Sequence, residues 1–263
     1  MAFRCALVGF AGRPNVGKST LVNAIVGEHV SITSSRAQTT RRRIAGIAHG
    51  DDWQLVLADL PGIQVPRDGL TRRMAESVSE TLADVDVVLL VLDASQPIGG
   101  GDRASAEAAF AAGAPVVVVL NKTDRLAPAR IAEAIAAAAE LGPFAEIHPV
   151  SARTGDGVEG LVADLVRLAP EGPALFPAEA TSSDPVRLRI AELIREQALR
   201  RLRDEVPHAL TVVVEEYTAP TRRRAARIEA AIYVESSSQQ GIVVGKGGEM
   251  IRDIGTAARP EIE

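Results

Sequence analysis

Cysteine is nearly absent from this chain: Cys5 stands alone, which excludes a disulfide framework and fits a reducing cytosol. Long apolar runs are missing too. Runs such as Val87 to Leu92, overlapping the stretch Val85 to Val91, and Val116 to Leu120 fall well short of the roughly 18 residues a membrane span needs. No leader is expected ahead of a first strand that begins almost at Met1. Lysine is scarcer than any generic use of positive charge would make it, with 26 arginines and only Lys18, Lys122 and Lys246. Those three are expected where a compact ammonium cannot be replaced by a planar fork, and each falls in a motif. An excess of positive charge is also lacking. Residues 184–263 hold 13 basic and 13 acidic residues, against 16 and 21 in the first 183. That balance argues against a protein that coats a nucleic-acid duplex by charge alone. What remains, 263 residues with 46% apolar and 24% charged content, fits one large or two ordinary globular domains.

The chain is organised around Gly12-Arg13-Pro14-Asn15-Val16-Gly17-Lys18-Ser19-Thr20. It reads G-x-x-x-x-G-K-S, follows the short apolar run Cys5 to Val8, and leads into the helical pattern Leu21, Val22, Ile25, Val26. Strand, glycine loop and helix in that order form a phosphate cradle, with backbone amides and a helix N-terminus facing the anion. Gly12, Asn15, Val16, Gly17, Lys18, Ser19 and Thr20 are the expected nucleotide contacts. Lys18 reaches the terminal phosphates and Ser19 holds magnesium.

Residues 27–45 lack periodicity and read as a mobile loop, in which Gln38-Thr39-Thr40-Arg41 offers Thr40 to the magnesium and its amide to the third phosphate. Arg43 to Ala48 and Trp53 to Ala58 read as a hairpin around His49-Gly50-Asp51-Asp52. The second strand delivers Asp59-Leu60-Pro61-Gly62 at its carboxyl end, where ligands gather in open α/β sheets. Asp59 is expected to hold the magnesium, and the Gly62 amide to sense the third phosphate. A helical stretch, Arg67 to Leu82, precedes the buried strand Val85 to Leu92. A further buried strand ends in Asn121-Lys122-Thr123-Asp124. The Asp124 carboxylate can accept from the ring N–H and exocyclic amine of guanine, a donor pair that adenine lacks. Asn121 bridges base and phosphate loop, and the stem of Lys122 lies across the base. A sixth strand, Glu146 to Val150, ends in Ser151-Ala152-Arg153, whose amides are expected at the guanine oxygen. Helix Val158 to Leu168 closes a domain over 1–169: a mostly parallel six-stranded sheet flanked by helices, with one antiparallel strand.

Four prolines between Pro170 and Pro185, with no periodicity, make 170–184 a linker. Asp184 then offers a cap with Pro185 at the first turn. The helix that follows has an apolar face of Val186, Ile190, Leu193, Ile194 and Leu202, and an arginine face of Arg187, Arg195, Arg200 and Arg203. Strands are expected over His208 to Tyr217 and Ala225 to Glu235, around the basic loop Arg222-Arg223-Arg224. Gly245-Lys246-Gly247-Gly248 then forms a G-x-x-G turn between short apolar helices. Bare outer glycines let the helices approach and their amides clamp a nucleic-acid backbone, with Lys246 adding charge and a groove taking about four bases. This is the order of a KH domain, an α+β RNA-binding unit over 185–263.

Phosphate loop, Thr-Thr-Arg, Asp-Leu-Pro-Gly, Asn-Lys-Thr-Asp and Ser-Ala, all in order, resemble the regulatory GTPases of the translation-factor class. Ras-like members carry a water-orienting glutamine where this chain has Ile63, with Gln64 one position late. Some relatives instead use a potassium ion held by the phosphate-loop asparagine, here Asn15. Over its whole length the chain resembles the bacterial Era GTPase family. That resemblance implies a Mg2+-dependent GTP hydrolase cycling between GTP and GDP, with Lys18, Thr40 and Gly62 in catalysis and Ser19, Thr40 and Asp59 at the metal. It further implies a cytoplasmic monomer that binds small-subunit ribosomal RNA near its 3′ end, acts in assembly of the small ribosomal subunit, and associates peripherally with the inner membrane. An alternative within the resemblance is a GTP-gated RNA chaperone whose hydrolysis is incidental. Family members continue through a further helix and third strand, so the KH unit is expected to be incomplete, with Pro260 breaking its last helix.

Overall fold

The computed structural model describes residues 2–33, 44–60, 62, 78, 80–183, 185–202, 210–221 and 224–262. It divides into two compact units, Met1–Ser183 and Asp184–Glu263.

The first unit is a six-stranded sheet in the order β2-β3-β1-β4-β5-β6, formed by β1 (Arg4–Ala11), β2 (Ile44–His49), β3 (Trp53–Asp59), β4 (Val87–Asp93), β5 (Val116–Asn121) and β6 (Glu146–Pro149). Every pairing is parallel except β2 with β3, as the hairpin predicts. Among the described residues, helices α1 (Lys18–Val26), α2 (Gly100–Ala111), α3 (Pro128–Ala139) and α4 (Val158–Leu168) cover it. The apolar runs of β1, β3, β4 and β5 are continuous because these strands are buried on both sides. Ala6, Val8, Phe10, Leu89, Val91, Val117 and Val119 face α1 and α4, while Val88, Leu90, Leu92, Val118 and Leu120 face α2 and α3. Burying one such side chain contributes about 1.5–3 kcal/mol, so the sheet is a stiff platform for the loops at its carboxyl edge.

Two expectations change here. The segment read as a mobile loop is fixed over its first part: Asn23 donates to the Ser31 carbonyl and accepts from the Val30 and Ser31 amides, and Val30 and Ile32 are buried. Residues 34–43 lie outside the described residues. The expected linker is largely laid down on this unit. The Cys5 amide donates to Pro170, Gly172 to Phe3, and Ile47 to Thr181, while Ser182 bridges Gly46 on β2. The buried Gln54 side chain accepts from the Leu175 and Phe176 amides and donates to the Phe176 carbonyl. Prolines remove few donors from such a strap, and β2, an edge strand, has unpaired backbone groups that need covering.

The second unit has α5 (Val186–Arg201), an antiparallel pair β7 (Thr211–Thr218) and β8 (Arg227–Tyr233), then α6 (Ser237–Val244) and α7 (Glu249–Ile262). Its core joins Ile190, Ala198 and Leu202 to Val212, Val214, Val243 and Ile254. The face assignment of α5 is only partly met. Val186 is exposed, whereas Arg195 is buried and paired with Glu192. The cap position is Pro185 itself, with no side-chain cap; Asp184 and Arg203 lie outside the described residues. Pro260 does not end α7, which continues to Ile262; its missing N–H withholds only the bond to the Thr256 carbonyl, near the helix end, where few further bonds depend on it. Among the described residues the sheet of this unit has two strands.

Candidate nucleotide site and nucleic-acid interface

The phosphate loop connects β1 to α1 and is shaped by three left-handed residues: Gly12 (φ 149°), Asn15 (φ 65°) and Gly17 (φ 101°). Asparagine tolerates this region better than most side chains. Glycine is required at the other two on space as well. A Cβ on Gly12 would meet the Val91 carbonyl oxygen at 2.5 Å, and one on Gly17 the Asn121 amide nitrogen at 2.2 Å. Lys18 opens α1 and curls back to donate to the Gly12 and Arg13 carbonyls at 3.0 and 3.2 Å. Burial pushes its ammonium down to about 8, partly opposed by the negative charge of Asp59.

Asp59 closes β3 and is fully buried, with the Ser31 hydroxyl donating to Oδ2 at 2.6 Å. Gly62 lies directly against the phosphate loop, since a Cβ there would come within 2.6–2.8 Å of Pro14. Ser19 and Thr20 lie in the first turn of α1. Thr40, Ile63 and Gln64 lie outside the described residues, as do most of the helical stretch expected from Arg67 and the loop residues Arg222 and Arg223.

At the ends of β5 and β6 the base loops are tied to the phosphate loop. Asn121 Nδ2 donates to the Val16 carbonyl at 2.9 Å, and its Oδ1 accepts from the Lys122 and Ala152 amides. Lys122, itself at φ 68°, donates from Nζ to the Asn15 carbonyl and to Asp93 Oδ2, both at 2.6 Å. Asp124 accepts from the Ser151 hydroxyl at 2.8 Å and from two nitrogens of Arg153 at 2.7 and 3.1 Å. The Ser151 hydrogen bond foremost, with Arg153 behind it, holds the Asp124 carboxyl below its usual range.

The Ser151 amide donates to the Asp156 carbonyl, and that of Ala152 to Asn121, while the Ser151 hydroxyl orients Asp124. Sequence reasoning also missed Asp93, Asp102 and Ser31. Asp102 lies on α2, accepts from Arg13 of the phosphate loop at 2.8 Å and from the Gly99 amide. Only for Asp93 was there a signal, a carboxylate at the end of an otherwise apolar strand.

In the second unit, Gly245, Gly247 and Gly248 all have positive φ (72°, 62°, 78°), with Lys246 inside a 3-10 turn between α6 and α7. The close-approach argument holds for Gly245, where a Cβ would meet Met250 at 2.7 Å. It does not hold for Gly248, which faces open space and is glycine for its backbone alone. Ile242, Val244 and Ile251 are exposed beside the turn.

A glycine phosphate cradle tied through Asn121 to an acidic base loop, on a doubly covered sheet, defines the first unit as a phosphate-loop GTPase domain. The G-x-x-G helix pair and β-hairpin define the second as a KH unit. Two family models agree: one described as a 50S ribosome-binding GTPase matches residues 7–122, and a KH domain model matches 205–263. The chain is 48% identical to GTPase Era of a Nocardioides species, over 100% of this chain and 87% of that relative. It is 47% identical to GTPase Era of a Mycobacterium species, over 99% and 89%. The chain belongs to the Era GTPase family. Its backbone matches a crystal structure of Era in complex with MgGDPNP and nucleotides 1506–1542 of 16S ribosomal RNA, at TM-score 0.92 and 34% identity, covering 99% of this chain and 89% of that one. Aquifex aeolicus Era bound to GDP and AlF4− matches with the same values.

Proposed function

We propose that this chain is a GTP-hydrolysing switch that binds small-subunit ribosomal RNA near its 3′ end and acts in assembly of the small ribosomal subunit. The observation that carries the nucleotide half is Asn121, whose one side chain joins phosphate loop, Lys122 and Ala152. Asp124, held ionised beside it, suits the two donors of guanine. Adenine would leave that carboxylate short of partners, a loss of about 1–3 kcal/mol or more for a charged group. The relative crystallised with 16S ribosomal RNA supports the RNA half, and the Gly245–Gly248 turn with its exposed apolar neighbours is where RNA would sit.

Lys18 supplies positive charge to the terminal phosphates, and Gly12, Asn15, Val16, Gly17, Ser19 and Thr20 supply the cradle. Gly62, pressed against Pro14, and Thr40 are assigned to the third phosphate. Ser19, Thr40 and Asp59 would hold Mg2+. The donor set fits that ion, which takes one or two carboxylates and otherwise oxygen from hydroxyls, phosphates and water. When bound, Mg2+ neutralises charge on the phosphates during transfer. Potassium beside Asn15 is part of the same reading: the Asn15 carbonyl is committed to Lys122, so the side-chain amide would serve the ion. Hydrolysis should then run several-fold faster in potassium than in sodium, and equal rates would remove this element. Cytoplasmic residence as a monomer, with peripheral contact at the inner membrane, completes the proposal; among the described residues no helix is long and apolar enough to cross a membrane.

The test is crosslinking to cellular RNA with a non-hydrolysable GTP analogue. Recovery of the 3′ end of the small-subunit RNA, dependent on GTP and on Gly245–Gly248, supports the reading; recovery indifferent to both overturns it. An Asp59 variant separates a switch from an RNA chaperone with incidental hydrolysis, since only the switch would stall on its RNA.

A further inference from the structure

Asp93 ends β4, outside all five nucleotide motifs, yet both of its oxygens are committed. Oδ1 accepts from the Ser95 amide and hydroxyl at 3.0 and 2.6 Å. Oδ2 pairs with the Lys122 ammonium at 2.6 Å, in a site where Asp93 is only 10% exposed. The same ammonium donates to the carbonyl of Asn15, the left-handed asparagine of the phosphate loop. Lys122 thus has its tip fixed at two points, so its side chain links base loop to phosphate loop.

A flexible lysine laid across a base loses rotamer freedom when nucleotide binds, at a cost that an anchored lysine has already met. We propose that Asp93 is a positioning residue for nucleotide retention: it anchors Lys122 as a preformed floor for the base and, through Lys122, holds the Asn15 turn of the phosphate loop. Burial would raise the Asp93 carboxyl, but hydrogen bonds from Lys122 and Ser95 outweigh it and keep the group low and ionised. Asp93 touches neither phosphate nor base by this assignment; it acts through Lys122 alone. The proposal rests on the guanine-nucleotide reading of the site.

The experiment measures release of a fluorescent GDP from the full chain. Wild type should release its label to excess GDP and keep it against excess ATP; equal displacement by ATP would defeat the nucleotide reading, whatever Asp93 does. Asp93→Asn keeps the size and the Ser95 contacts but removes the charge. Release should quicken about tenfold, and half-saturation by GTP should rise while kcat at saturation falls less than about twofold. Lys122→Gln should also quicken release, and the double variant should be no faster than Lys122→Gln alone. Ser95→Ala, which slackens Asp93 without touching Lys122, should act in the same direction with smaller size. Unchanged release in Asp93→Asn, or two effects that multiply in the double variant, would overturn the proposal. Asp93→Glu retains the charge and should stay closer to wild type than Asp93→Asn; equal speed would assign the effect to packing and overturn it too.

Discussion

The two glycine-rich loops of this chain solve opposite problems. At and around the phosphate loop the key polar groups have fixed protein partners: Lys18 on two loop carbonyls, Asn121 on three backbone groups, and Asp59 on Ser31. In the Gly245–Gly248 turn, Gly247 and Gly248 face open space, and Ile242, Val244 and Ile251 stand exposed. A triphosphate is small and highly charged, so its site must be built in advance with charges held at fixed points. A few unpaired bases are read by surface, and a surface has little to preorganise beyond its backbone. Damage to the first loop should therefore cost stability and binding together, whereas damage to the second should cost binding alone.

The largest effect that would break this contrast lies at Gly17 and Gly248. Both are left-handed, but only Gly17 is also crowded, by Asn121 at 2.2 Å. Gly17→Ala should combine about 1–2 kcal/mol of backbone strain with about 1–3 kcal/mol for the hydrogen bonds Asn121 loses when displaced. Thermal melting of the nucleotide-free chain should fall clearly and GDP binding should vanish. Gly248→Ala should cost only about 1–2 kcal/mol of backbone strain, leave GDP binding intact, and weaken RNA binding. Equal melting losses at the two sites would end the comparison.

Next in size is Asn121→Ala. It leaves the Val16 carbonyl and the Lys122 and Ala152 amides without their partner, so a loss of about 2–4 kcal/mol is expected in nucleotide-free melting. Guanine affinity should fall with it. A variant that lost affinity at unchanged stability would show that the base loop is not tied to the phosphate loop in the way described.

A smaller effect sharpens the contrast through pH. The Lys18 ammonium sits near 8 rather than 10.5, so between those values the native site sheds its proton first and the unfolded chain holds more. Stability of the nucleotide-free unit should accordingly rise with pH in that window. Phosphate charge favours the protonated lysine, so GDP binding runs the other way: affinity falls above about 8, and a proton is taken up on binding. Calorimetry at about pH 8.5 in buffers of different ionisation enthalpy should reveal that uptake, and at about pH 6.5 should not. Lys18→Arg, always charged, should abolish it.

The same contrast explains what was legible in the sequence. The sheet was readable because buried strands carry unbroken apolar runs, and the phosphate and base loops because their chemistry demands fixed residue types at fixed spacing. Asp102 and Ser31 were not, since a carboxylate at a helix start and a serine in a loop have many innocent uses; only the fold brings them beside Arg13 and Asp59. That the segment read as a linker lies along the first unit over 170–183 was not legible, because proline content speaks of the segment's own stiffness, not of the edge strand beside it. The buried Arg195 of α5 was hidden by its partner Glu192, one turn earlier, which neutralises a charge that composition alone would leave in water.

The smallest effect falls on Lys246, the one lysine in the turn of the second unit. It is exposed, so Lys246→Ala should move melting by no more than about 0.5 kcal/mol. Its charge should matter only to a polyanion. RNA affinity should fall by a few-fold, and the slope of log affinity against log salt should decrease by about 0.7, the value for one phosphate contact on a single strand. An unchanged slope would mean that the turn grips RNA through backbone amides and apolar contact only. Lys246→Arg then discriminates further: it should restore the slope fully, since a single exposed phosphate contact asks only for charge, whereas failure to restore it would show that the compact ammonium itself is needed between the glycines.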